Sequence, residues 1–395
     1  VDAARRGEGL VAVRGCSRIA ARRGAFVAVV ALLPGLPGCY IDLDGLSGGA
    51  EDGSSTSTGS GTGTGSPAPG DPGGCAPGDC SVQCVVAGPE AAGAPAAIAA
   101  VGPHVVWTSR AGDRVSRLDP ATGTVEDLVP FTPRPGLLAA AEGIAVWVAD
   151  DGLWWCPADG CPAGATSLLA FGPADAAAVR GLATDGRHVY WTRDEESGTA
   201  GELLRCPVAG GCGAAPELLA PAQSHPRGVA VTPGGAGDVV WVQRGTGAAF
   251  GKLLRLDKGA TSAVMPTQIA VLLDYPDRVA LGAGEVLWTW TDPGGAAGGV
   301  SRCDLAASCA AEALAPQTEP ARPLREPAAL AIDGADAYWV NRGGGTVMRC
   351  PTAGCSGYPE VLAEGLTRPS AVAVQGACVY AVDEAGGGRV VRAPR

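Results

Sequence analysis

Seven times, at spacings of 40 to 51 residues, the chain returns to a short phrase centred on a Tyr-Trp-Thr-like triplet. The clearest copy is Gly181-Leu-Ala-Thr-Asp-Gly-Arg-His-Val-Tyr-Trp-Thr192, followed by Glu202-Leu-Leu-Arg-Cys-Pro207 and Pro216-Glu-Leu-Leu-Ala220. Trp107, Trp147, Trp241, Trp288 and Trp339 mark other copies, and Val379-Tyr380-Ala381 is a degenerate seventh. Such a period, with four short apolar runs per unit, predicts an all-β chain folded as a seven-bladed β-propeller. With 61 Gly and 32 Pro, turns are favoured over long helices.

One unit reads as four strands. Gly181–Thr184 is the inner strand, and Asp185-Gly186 is a hairpin turn. His188–Arg193, Leu203–Cys206 and the outermost Glu217–Ala220 follow. Blades are sandwiched between neighbours, so continuous runs such as Val189-Tyr-Trp are expected in place of strict alternation, with the Trp as core. The last copy has only three strands before Arg395. Cys75-Ala-Pro-Gly-Asp-Cys80 and Cys84-Val-Val-Ala87 parallel Cys350-Pro-Thr-Ala-Gly-Cys355 and Glu360-Val-Leu-Ala363. The N-terminal segment is therefore expected to supply the missing outer strand and close the ring, leaving no open edge.

The pattern resembles the YWTD and NHL propeller families, and a group of Cys-containing repeat lipoproteins of myxobacteria-like organisms, over roughly residues 75–395. The resemblance implies a propeller fold. The Asp that ends the YWTD motif is Arg193, Asn341, Ser109 or another residue here, so ligand habits resting on that Asp do not carry over.

Three domains are expected: a signal peptide over 1–38, a lipidated Cys39 with a disordered tether over 39–74, and the propeller over 75–395. Six Arg precede the apolar run Ala25-Phe-Val-Ala-Val-Val-Ala-Leu-Leu33, which is too short to span a bilayer. Leu36-Pro-Gly-Cys39 resembles a bacterial lipobox, making Cys39 the expected lipidation site; a plain secretory signal is the alternative. The Gly/Ser/Thr/Pro-rich stretch that follows has nothing to bury. These features predict a cell-envelope protein, anchored to a membrane through lipid and monomeric.

The formal charge is −11, and six Arg against Asp2 and Glu8 in 1–38 leave the remainder at about −15. A body that acidic, without a basic run, argues against nucleic-acid binding. Eight of the 14 Cys form four pairs at one place in the repeat: Cys156/Cys161, Cys206/Cys212, Cys303/Cys309 and Cys350/Cys355; Cys75/Cys80 reads as a fifth. In an exported chain these predict local disulfides. A metal would need four converging ligands, and no His accompanies the pairs. A Cys84–Cys378 bond is a further possibility.

Catalytic residues, metal ligands and cofactors are not expected, because no nucleophile elbow, His-Glu-x-x-His or P-loop occurs. One pattern stands out. Arg134, Arg180, Arg227, Arg278, Arg325 and Arg368 each fall near the start of an inner strand. They could form a broken ring at one channel mouth, suited to a carboxylate or acidic glycan; the alternative is a duplicated structural Arg. The leading reading is a non-catalytic module binding a ligand or protein, with a propeller lyase or lactonase, or a purely structural surface protein, as alternatives.

Overall fold

The structure, a computed structural model, describes residues 75–395 apart from 196–199, 262–263, 296, 306–308, 310 and 316–322. The expectations for 1–38, Cys39 and the tether to residue 74 lie outside the described residues. Seven four-stranded antiparallel sheets follow one another along the chain. Blade 1 spans 95–129, blade 2 138–170, blade 3 179–223, blade 4 226–273, blade 5 276–313 and blade 6 327–363. Blade 7 takes Pro369–Gln375, Cys378–Asp383 and Arg389–Pro394 from the C-terminus and Cys84–Ala87 from the N-terminal side. The closing register pairs Cys84 with Arg392 and Val85 with Val391. The inner strands contact one another in sequence, and the last contacts the first, so the ring is closed. Among the described residues, no helix is long and apolar enough to cross a membrane.

Antiparallel order gives the ring two unlike faces. The turns between first and second strands and between third and outer strands lie on one, the hairpin face. The loops after the second strands and those leading into the inner strands lie on the other, the loop face. The triplet Trp residues are buried between blades as the sequence predicts. In blade 7, Ala371 pairs with Val382 as Gly181 pairs with Thr192 in blade 3. The seventh triplet is therefore Tyr380-Ala381-Val382, one residue later than the sequence suggests.

Two sets of side chains tie blade to blade. On the inner side, the triplet Thr bridges strand bulges: Thr108 accepts from the Ala97 amide at 3.2 Å and donates to the Gly136 carbonyl of blade 2 at 2.7 Å. Thr192 likewise donates to the Arg227 carbonyl of blade 4 at 2.5 Å. On the hairpin face, Arg117, Arg205, Arg255, Arg302, Arg349 and Arg392 hold one register position of the third strand. Arg117 donates to the Ala158 carbonyl of the next blade, Arg205 to Lys258, Arg255 to Leu305 and Arg302 to Thr352. Four of them also face a Glu of the outer strand: Glu126, Glu217, Glu312 and Glu360. The cations thus satisfy carbonyls that would otherwise be lost at blade seams.

The structure links Cys156 to Cys161, Cys206 to Cys212, Cys303 to Cys309 and Cys350 to Cys355. The Cys75/Cys80 and Cys84/Cys378 pairings are corrected. Cys75 bonds Cys84 and Cys80 bonds Cys378, with Cα separations of 5.8 and 5.4 Å. The reason lies in the cut chain. In other blades the backbone joins third to outer strand, so a bridge only tightens the turn. In blade 7 that join is missing, and the Cys80–Cys378 bond fastens the N-terminal segment to the second strand.

Candidate functional site

Six of the seven inner strands are preceded or opened by Pro, at 95, 135, 226, 276, 327 and 369, and Val179 takes that place in blade 3. Counted from this marker, the six Arg do not share one position. Arg134 and Arg368 lie one residue before it, Arg325 two before it, Arg180 and Arg227 one after, and Arg278 two after. Bulges follow the marker, for example between Pro226 and Val229 and between Pro276 and Val279, so nearby residues in sequence face different ways. All six are on the loop face, at the inner-strand starts, but they do not form an equivalent ring.

Four have a carboxylate within 4.0 Å. Arg134 lies 3.9 Å from Asp150, Arg227 3.2 Å from Asp194, Arg278 3.3 Å from Asp277 and Arg368 3.4 Å from Glu384. Each acid belongs to the same or the preceding blade. Arg278 also spans the mouth, donating to the Arg180 carbonyl of blade 3 at 3.1 Å and towards Ala328 of blade 6 at 3.4 Å. Arg180 and Arg325 have no ion pair among the described residues.

Two further Arg join them from the loops after the second strands, and sequence counting from the inner strands missed both. Arg110 lies over Gly136, where an added Cβ would meet its guanidinium at 3.2 Å. Arg244 sits on the Tyr275 ring at 5.5 Å, and its amide donates to the His225 carbonyl at 2.9 Å. Neither has an ion-pair partner among the described residues. The signal for both was a charged residue just past the triplet, at Ser109-Arg110 and Gln243-Arg244.

Blades 3 to 5 carry the most elaborate sector. The buried Asp194 carboxylate meets His225 Nδ1 at 3.3 Å and Arg227 at 3.2 Å. Burial holds the Arg227 guanidinium below its usual range; Asp194 and Asp277 pull the other way, while Arg180 and Arg244 add to the depression. Arg227 thus senses both of these unpaired cations. Outside this cluster Phe250 and Leu272 are exposed on the rim. His104 and His188 lie on the hairpin face, where His104 approaches Asp159 at 3.4 Å. Among the described residues no group of His, Cys, Asp and Glu could hold a metal ion.

No protein-family model matches the chain, and no curated protein does. Solved structures do. The chain is similar to Kuenenia stuttgartiensis hydrazine synthase, with a TM-score of 0.59 and 14% identity over 77% of this chain and 96% of that one. It is also similar to a puromycin hydrolase mutant complexed with PGG, with a TM-score of 0.53 and 16% identity over 73% of this chain and 50% of that one. A nidogen/laminin complex matches at a TM-score of 0.45 and 20% identity, covering 61% of this chain and 84% of that one. At these identities the likeness is one of fold. The class is the seven-bladed β-propeller.

Proposed function

We propose that the protein is a non-catalytic binding module, held at the cell envelope through Cys39, whose loop face takes an acidic glycan or a carboxylate-bearing partner at the axial mouth. One observation carries the reading. Arg110, Arg180, Arg244 and Arg325 have no ion-pair partner among the described residues, yet gather at one mouth of a protein with net charge −11. Unpaired guanidinium forks suit carboxylate or sulfate. The paired Arg134, Arg227, Arg278 and Arg368 frame the site, and Arg278 also holds backbone carbonyls at the mouth. Isothermal titration of an oligogalacturonate at low and at physiological ionic strength tests this. Binding that weakens as salt rises supports it, and no binding at low salt removes it.

A second reading has one observation behind it. Asp194 holds His225 Nδ1, which leaves Nε2 as the ring's free position at the mouth. That arrangement suits a general base. Turnover of an acidic glycan or lactone that vanishes in His225→Gln would favour an enzyme over a module.

A further inference from the structure

A cleft of 210 Å³ opens between blades 2 and 3, away from the axial mouth. Leu169, Phe171, Trp191 and Leu204 form its apolar wall, and Arg193 and Asp175 line it as well. At about 30 Å³ per water it has room for roughly seven waters, the scale of a small metabolite.

The repeat shows how blade 3 departs from its neighbours beside this cleft. In four blades the residue closing the second strand ties down the loop that leads into that blade. Ser109 donates to the Ala92 carbonyl at 2.6 Å and Gln243 to Gln223 at 2.7 Å; Asn341 accepts from the Arg325 amide and Asp383 from the Arg368 amide, both at 2.7 Å. In blade 3 the loop is replaced by the short helix Pro173–Ala178, and Arg193 stands at the tying position. Arg193 turns to Glu202 at 2.7 Å instead. Its Nε is buried without a hydrogen-bond partner.

Asp175 adds the second half. It is exposed on the helix, lines the same cleft, and makes no ion pair with Arg193 within 4.0 Å. A cation and an anion are thus presented to one apolar cleft but held apart. We infer that this cleft binds a free apolar α-amino acid, its carboxylate on Arg193, its ammonium on Asp175 and its side chain against Leu169, Phe171, Trp191 and Leu204. A ligand with only an acid would meet Asp175 as a like charge, and one with only an amine would meet Arg193 as one.

The test is ligand-observed NMR and calorimetry on the full chain with L-leucine and L-phenylalanine. Isoamylamine and 4-methylpentanoate serve as analogues of leucine lacking the carboxylate or the amine. The expected result is binding of the amino acids, at least tenfold weaker binding of either analogue, and a similar loss in Arg193→Met. Asp175→Asn changes an exposed residue and should weaken binding by a like factor without moving the melting temperature. Absence of amino-acid binding at millimolar concentration, equal binding of the analogues, or wild-type affinity in Asp175→Asn would each overturn the assignment. Oligogalacturonate binding at the mouth is measured separately and is unaffected by either result.

Discussion

Lys258 of blade 4 reaches into blade 3 and places its ammonium 3.1 Å from the Asp185 carboxylate, with both side chains almost wholly buried. The ammonium also donates to the carbonyls of Thr232 at 2.8 Å and Gly234 at 2.5 Å, so all three of its donors have acceptors. Asp185 in turn accepts from the Arg187 and His188 amides at 2.9 and 2.7 Å. One of only two lysines in the chain thus joins two blades on the hairpin face.

Removing one partner leaves the other charge buried. Lys258→Met is expected to destabilise the propeller by about 3 kcal/mol, the lower end for a broken buried pair. Lys258→Met combined with Asp185→Asn should recover part of that loss. Denaturant midpoints of the three variants check this; a single variant as stable as the parent would contradict it.

The same corner responds to acid. Burial raises the Asp185 pKa, but the His188 and Arg187 amides and Lys258 outweigh it and leave the carboxyl below 3.8. Burial holds the His188 imidazole below 6.5, against the pull of Asp185. Both folded values are depressed, so each group's contribution is complete above its unfolded pKa and is lost as pH falls towards the folded one. Stability should decline first just below pH 6.5, through His188, and again below pH 3.8, through Asp185. Melting curves of His188→Gln should lack the first decline while keeping the second.

The Cys80–Cys378 bond spans a sequence separation of 298, against 5 for Cys156–Cys161. Loop-closure entropy makes the long staple worth up to about 5 kcal/mol and the short one about 2. The Cys80→Ser/Cys378→Ser variant should therefore lose more stability than Cys156→Ser/Cys161→Ser in denaturant titrations, and should open at the closing blade. Hydrogen exchange at Val85 and Val391 faster than at the blade 3 strands is the expected mark.

Much of this was legible in the sequence. The triplet period predicts the seven blades, and the last copy's three strands against four elsewhere predict that Cys84–Ala87 completes the closing blade. The bonds of Cys75 and Cys80 were not, since analogy with Cys350/Cys355 assumes a continuous backbone where blade 7 has a cut. The girdle from Arg117 to Arg392 is visible in the sequence as an Arg in six of the seven third strands; only the structure shows that Arg117, Arg205, Arg255 and Arg302 reach a carbonyl of the next blade. The six mouth Arg failed as a ring for a related reason. Bulges after Pro226 and Pro276 redirect side chains, so equal sequence distance from a strand does not give equal direction.

Under the proposed function, the loop-face mouth recognises anions through its unpaired guanidinium groups. This is tested most directly by oligogalacturonate titration of Arg180→Ala/Arg244→Ala beside Arg187→Ala. Arg187 is exposed on the opposite, hairpin face and serves as the charge control. The mouth variant should lose at least tenfold in affinity and most of the salt dependence, while the control binds as the parent does. Equal losses in the two variants, or none in the mouth variant, would contradict it.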